Sequence, residues 1–376
     1  MRRRQEPSEG VRQPPLVSMG ALKGAILLLA VAAAAGPLSA GWVERVYSRG
    51  FYRWLQPHLT EAANRTPLAL FDLAGAAVLG GLIVWWVVRL RNAARGGTGR
   101  TVMGLTMDTA FAGALVYLLF LIVWGLNYRR EPLQTALDFR EDRITQQALR
   151  ALASRTIAEL NLLHAETARA VWPELSGVSA ILQPGFERAQ RQLGVAWNVS
   201  PGVPKRSVLN FYFTRTAVDG MTDPFFLETL INQDLLPFER PFVVAHEWSH
   251  LAGLADESEA NFMGWLTCMQ GSALTRYSAW VSLYGVVLSA LPASERAMFA
   301  TTLQPGPRRD LRAVTDRILG QSVPLARRAS NLVYDRFLKA NRVDAGIASY
   351  GGVVRLIVGT RFTSGDVPVL RRPPGA

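Results

Sequence analysis

Cysteine is nearly missing from this 376-residue chain, where Cys268 stands alone. A single thiol excludes an intrachain disulfide and every zinc module built from several cysteines. Histidine is almost as scarce, with four in all, so a histidine-based site has few residues to draw on. Acids are the minority charge, 29 against 41 Lys and Arg, which leaves a formal net charge of +12. Such an excess suits nucleic acid or an anionic membrane surface. No basic stretch is interleaved with aromatics in the manner of a nucleic-acid platform, so nucleic acid is not expected as a partner. The basic residues sit beside long apolar runs instead, which points to a lipid bilayer. Hydrophobic residues make up 49% of the chain, yet mean hydropathy is only +0.13. That combination fits a few apolar spans averaged with a water-soluble part.

Three runs are candidates for membrane helices. Residues 24–43, "GAILLLAVAAAAGPLSAGWV", carry no charge over twenty positions, enough to cross a bilayer. The "LSA" within them also resembles a cleavage site, but two further spans follow, and a retained helix is the expectation. Residues 66–88 and 109–128 are the second and third runs, with Trp85, Trp86, Trp124 and Tyr128 near their ends as interfacial anchors would be. Arg2, Arg3, Arg4, Arg12 and Lys23 precede the first run, and Arg89, Arg91, Arg95 and Arg100 fill the second connection. The first connection carries four arginines, offset by Glu44 and Glu61, and its aromatic and basic character suits a membrane interface. This asymmetry places the N-terminus in the cytoplasm and everything beyond the third span outside it. The expected organisation is a membrane domain over 1–128 and an extracytoplasmic domain over 129–376.

The second part reads as mainly helical. Residues 142–171 have helical apolar spacing, 207–214 are β-prone, and "ETLIN" (228–232) reads as a short edge strand on which an extended peptide could dock. Residues 260–292 read as helix buried in the soluble part rather than as a fourth span. "NLVYDRFLKAN" and "SYGGVVRLIVG" add two helices near the end.

The chemistry concentrates in "VVAHEWSHLAGLADESEANF", residues 243–262. His246 and His250 are four apart on a predicted helix, so they project from one face and can share a metal ion. Two imidazoles and a carboxylate suit Zn2+, with the remaining position open to water. Glu247 follows the first histidine and can take a proton from that water. The third ligand is open among three acids. Asp256 fits the HExxHxxGxx(H/D) spacing, with Gly253 turning the chain. Glu257 fits an E-x-x-A-(D/N) pattern completed by Asn261, which shares its helix face. Glu259 points elsewhere on the same helix. No methionine turn follows at the distance the first spacing requires, and Glu257 is favoured. The remaining candidates read as structural: His164 as a packed or surface histidine, His58 as interfacial, Cys268 as a small buried residue. Lys205, Asn210 and Tyr212 precede the site and are candidates for substrate contact.

Together these residues resemble an uncharacterised family of bacterial multi-pass membrane proteins with a zincin-like signature. The likeness runs from "YSRGFY" and "GLNYRREPL" through "DGMTDPFFLETLIN" and the HExxH…ExEANF combination to "VYDRFLKAN" and "SYGGVVRLIVG". It implies a membrane-bound protein, and with the three apolar runs the expected architecture is three transmembrane helices joined to a mainly α, α+β zincin-like domain in the bacterial inner membrane. It also implies a metallopeptidase-like activity on a peptide or protein substrate that it does not name. Two rivals have the same site. One is a non-catalytic membrane scaffold or sensor with a structural metal, and the other is a hydrolase of lipid or cell-wall amides.

Overall fold

The computed structural model describes residues 19–93, 98–195 and 197–371. The arginines at positions 2–4, 12 and 95 lie outside them, as do most of the Pro- and Arg-rich ends. In chain order the helices begin with α1 (Met19–Ala35), α2 (Ala40–Trp42), a π-helical stretch over Val43–Phe51 that runs into α3 (Tyr52–Asn64), α4 (Leu70–Ala93) and α5 (Thr98–Val123). Then come α6 (Gln146–Thr167), α7 (Leu175–Gln192), β1 (Pro204–Lys205), α8 (Asn210–Thr216), β2 (Gly220–Thr222), β3 (Thr229–Ile231), α9 (Arg240–Leu251) and α10 (Glu257–Met269). The chain closes with α11 (Ala273–Ser289), α12 (Ala293–Thr301), α13 (Pro305–Gln321), α14 (Pro324–Ala340), α15 (Gly352–Gly359), β4 (Phe362–Thr363) and β5 (Val367–Pro368). The protein is thus mostly helical with a few very short strands.

Two helical stretches are long and apolar enough to cross a membrane, Leu70–Asn92 and Thr101–Val123. A third counts only if Met19–Ala35 and Ala40–Asn64 are taken as one broken span. The uninterrupted helix expected over 24–43 is therefore not found. It stops at Ala35, and Pro37, which has no N–H to donate, lies in the break. The buried helices expected over 260–292 are α10 and α11, and neither qualifies as a span.

Contacts divide the chain into two units. One holds residues 1–37 and 83–119, where Lys23 forms an ion pair with Asp108 and Arg89 lies 3.7 Å from the same carboxylate. The other holds residues 38–82 and 120–376. The contact boundary therefore does not run at residue 128. The stretch 38–82 packs with the later domain, and the physical reason is visible in its bonds. Tyr52 donates to the carbonyl of Leu251 at 2.9 Å, and Ala69 shares a buried cluster with Phe213 and Leu230.

Within this second unit, the small sheet has the order β1-β3-β2. β3 pairs parallel with β1 and antiparallel with β2, with Gly220 opposite Ile231 and Thr222 opposite Thr229. The segment 228–232 is therefore the centre of the sheet rather than its edge, and β2 takes the outer position. The β-prone stretch 207–214 also differs from expectation, since it becomes mostly α8. There Ser207 accepts from the N–H of Leu209 at 2.9 Å, and Phe213 goes into the core. Burial of that one aromatic face outweighs the intrinsic preference of the segment.

Candidate metal centre

α9 starts with Pro241 in its first turn, where a missing N–H costs nothing. Phe242, Val243 and Val244 are buried, and Trp248 is fully buried against Phe186. These apolar positions fix the rotation of the helix and leave His246 and His250 together on one face. The chain then turns at Gly253, whose φ of +82° lies in the left-handed region. A Cβ there would also sit 3.1 Å from Asn127 Oδ1 and 3.2 Å from Arg130. The guanidinium of Arg130 donates to the Gly253 carbonyl at 3.0 Å and to both oxygens of Glu44. α10 begins immediately after this turn. Its N-cap is Asp256, which accepts from the N–H groups of Ser258 at 2.8 Å and Glu259 at 3.3 Å.

This local geometry separates the three acids. Glu257 Oε2 lies 3.2 Å from His246 Nε2 and 3.7 Å from His250 Nε2, and the two Nε2 atoms are 3.1 Å apart. Ligand atoms of all three residues fall within 4.8 Å of one another, a grouping that could hold a metal ion. Asp256 spends its carboxylate on the helix cap. Glu259 turns away to accept from the N–H of Leu133 at 2.6 Å, and burial together with the charge of Asp256 pushes it up to about 7. A separate cleft is lined by Asp256, Ser258 and Glu259 but by none of the three grouped residues. Asn261 is buried on α10 and forms no hydrogen bond to these ligands among the described residues.

Two observations suit the grouping to a cation. Glu257 Oε2 is buried and receives no hydrogen bond, although such an atom is costly to leave unpaired. His250 Nδ1 lies 2.7 Å from the carbonyl of Leu254, a partner that accepts the Nδ1 proton in a hydrogen bond and leaves Nε2 facing Glu257 and His246, where a cation would find its lone pair once that nitrogen is deprotonated. Burial works against the imidazolium of His250, but Glu257 more than offsets this and raises it to about 9. Burial also opposes the charge on Glu257, yet the two imidazoles hold its carboxyl well below the usual carboxylate range. A cation would take over the role that the protons play in this pairing.

Glu247 reaches the neighbouring strand. Its Oε2 accepts from the hydroxyl of Thr222 at 2.9 Å, and the same hydroxyl also lies 2.9 Å from the Glu247 carbonyl. Burial lifts the Glu247 carboxyl above its ordinary range, against the pull of His246, His250 and Thr222. Gly220 on β2 makes room for it, since a Cβ there would lie 2.7 Å from Glu247 Oε1.

Sequence reasoning missed two residues. Tyr334 on α14 donates a hydrogen bond to Glu257 Oε1, so the two oxygens of this carboxylate face different partners. Arg317 on α13 is buried and bridges Asp219 at 3.0 Å and Glu239 at 2.8 Å, tying the start of β2 to the start of α9. No local pattern announces either, because their partners lie far away in the chain. Only the recurrence of "VYDRFLKAN" in the family likeness could have pointed to Tyr334. The three residues proposed for substrate contact have other work. Lys205 is buried and donates to Glu228 at 2.6 Å and to the carbonyls of Ala63 and Leu68. Asn210 holds Gln233 and Asp234, and Tyr212 bonds Ser330 at 2.7 Å. His164 lies 3.7 Å from Asp310, and exposed His58 bonds the Trp54 carbonyl at 2.7 Å. Cys268 is buried, which pushes its thiol up and leaves it unreactive.

Residues 47–358 match the family described as "Protein of unknown function (DUF3810)". The chain belongs to this family. The match takes in α9, α10 and Tyr334, but membership of a family of unknown function carries no activity with it. No curated protein and no solved structure matches the chain.

Proposed function

We propose that this family member is a membrane-anchored, zinc-dependent peptidase with a zincin-like site. His246, His250 and Glu257 would hold Zn2+, which when bound supplies Lewis acidity and lowers the pKa of a coordinated water. Two neutral imidazoles and one carboxylate are the donor set that zinc favours when a coordination position is left open. The observation that carries the reading is Glu247. It sits next to the first ligand, is buried, and is aimed by Thr222, an arrangement that a purely structural metal does not need. In this role Glu247 takes a proton from the attacking water as the water oxygen bonds to the scissile carbonyl carbon. It then passes that proton to the leaving nitrogen as the C–N bond breaks. A carboxyl lifted by burial holds the proton it takes more readily than an exposed one, which suits it to carry that proton between the two steps. β2, the outer strand beside α9, is the element on which an extended peptide would dock. The Lys and Arg asymmetry supports a cytoplasmic N-terminus and an extracytoplasmic site.

The experiment compares Glu247→Gln with His246→Ala in purified protein. Glutamine is nearly isosteric and cannot take the proton. Glu247→Gln should therefore retain one zinc per chain while hydrolysis of a peptide library falls by about 10²–10⁴-fold. His246→Ala should lose the metal itself. Wild-type cleavage by zinc-loaded Glu247→Gln would remove Glu247 as the base and favour a scaffold or sensor.

A further inference from the structure

The stretch between Trp42 and Asn64 exposes several large apolar side chains while burying several polar ones. Its inward face mixes Val43, Tyr47, Tyr52 and Ala63 with the polar Glu44, Ser48, Gln56 and Thr60. Ser48 donates to Asn127 Oδ1 at 3.2 Å, Gln56 exchanges two hydrogen bonds with the backbone of Ser200, and Thr60 donates to the Leu227 carbonyl at 3.1 Å. Glu44 is buried against Arg130, and Tyr52, fully buried, reaches Leu251. The outward face carries the large apolar side chains: Trp42, Val46 at 49% exposure, Phe51, and Trp54 at 59%. Phe51 and Trp54 touch each other, with ring centroids 6.1 Å apart, and both stay substantially exposed among the described residues. A helix lying on a protein in water usually leaves Glu, Gln and Thr outside rather than Trp and Phe.

We propose that this outward face is a lipid-contacting plate that lies in the headgroup region of an anionic bilayer. Three further observations select lipid over a protein partner. The stretch is bounded in the chain by the apolar α1 and by the span that starts at Leu70, with only residues 36–39 and 65–69 as connections. Tryptophan is the side chain most at home at the headgroup level, and two of them mark this face. Arg45, Arg49 and Arg53 are exposed at four-residue intervals along it. Arg45 and Arg53 have no ion-pair partner among the described residues, so they are free to meet lipid phosphates. Such a helix sinks its apolar side by about 5–10 Å. The inward bonds mean that the plate is fastened to the last turn of the metal-binding helix through Leu251. The surface does not depend on the peptidase reading, because it concerns lipid contact alone.

The test places single cysteines at Val46, Phe51 and Trp54, with Glu166, exposed on α6, as the water-facing reference. Buried Cys268 can stay, and Cys268→Ala repeats the set. Each full-length variant is nitroxide-labelled and reconstituted in vesicles of phosphatidylethanolamine and phosphatidylglycerol, after its circular dichroism has been matched to wild type. Collision with oxygen should dominate at the three plate positions, and collision with a water-soluble nickel chelate should drop several-fold relative to the label at position 166. Equal nickel access at all four positions would show a face in water. Protection from both oxygen and nickel would show a protein or a second copy of the chain covering it. Either result overturns the proposal. Quenching of unlabelled protein by brominated lipid gives an independent reading. It should weaken in the double variant Trp42→Phe, Trp54→Phe, and unchanged quenching also counts against the plate.

Discussion

Tyr334 shows how one side chain can orient a candidate metal ligand that is remote in sequence. Its hydroxyl donates to Glu257 Oε1 and so leaves Oε2 for the imidazoles. Partners of this kind typically contribute 10–100-fold to metal affinity. Tyr334→Phe should therefore weaken zinc binding by about that factor in competition with a chelator, while the protein stays folded. Glu257→Gln should weaken binding far more. Asp256→Asn should bind normally, since its carboxylate only caps α10, and Asp256→Ala should cost about 1 kcal/mol of stability without removing the metal. Full metal in Glu257→Gln with none in Asp256→Asn would reverse this assignment. A second residue-scale effect concerns pH. Asp223 is buried in the turn between β2 and β3, and burial raises its carboxyl to about 7 despite hydrogen bonds from Phe225 and Phe226. Between the ordinary carboxylate range and pH 7 the folded protein holds a proton that the unfolded chain has lost. Stability contributed by this group is therefore greatest in acid and declines as pH rises toward 7. Asp223→Asn should flatten that decline in thermal midpoints measured in detergent from pH 5 to 8. It should also lower the midpoint at pH 5, where the amide forfeits one of the two backbone bonds.

At the scale of elements, the centre exists because α9 and α10 approach closely with a glycine between them. A Cβ on Gly264 would meet the backbone of His246, with its N at 3.1 Å and its Cα at 3.2 Å. The backbone cannot swing aside as a side chain can, so Gly264→Ala should push the ligand-bearing helices apart. The expected cost is about 1–3 kcal/mol, with weakened metal binding. Gly220→Ala acts differently, because its Cβ would meet the Glu247 carboxylate and no ligand. It should keep zinc and lose turnover, and the reverse pattern would disprove the role given to β2. These contrasts show what a sequence can and cannot disclose. Helical spacing brings His246 and His250 to one face because the period is local, and the same reasoning reaches Glu257, whereas the capping role of Asp256 in place of a ligand role was not legible. Strand order is not local. "ETLIN" looks the same at the edge or the centre of a sheet, and the order β1-β3-β2 depends on where "VPK" returns. Arg317 and Tyr334 were illegible for the same reason. The break after Ala35 was legible in Pro37 itself, but the uncharged run on both sides concealed it.

On the whole-molecule scale, the centre is fastened to segments that adjoin the candidate spans. Trp124, the first residue after the span Thr101–Val123, donates its indole N–H to the carbonyl of His250 at 3.3 Å, and their rings meet edge to face. Tyr52 grips Leu251 one residue later from the proposed lipid plate. With the plate in the headgroups and the span in a bilayer, a turn held in this way would stay near the membrane surface. A helix with its side chains is about 10–12 Å across, so the metal should stand within roughly two such diameters of the headgroups. If the peptidase reading holds, the protein should cut bonds close to the membrane and miss bonds held farther away. The test uses one cleavable sequence joined to a transmembrane anchor by rigid helical spacers of increasing length, co-reconstituted with the enzyme facing the same side. Each spacer residue adds about 1.5 Å, so a spacer of about 30 residues lifts the bond roughly 45 Å. Cleavage should be efficient with short spacers and fall steeply at that length. The same sequence as a free peptide controls for intrinsic activity, since it can diffuse to the site from any direction. Equal rates at all spacer lengths would show that the membrane sets no ruler for this site, even if zinc and Glu247 behave as proposed.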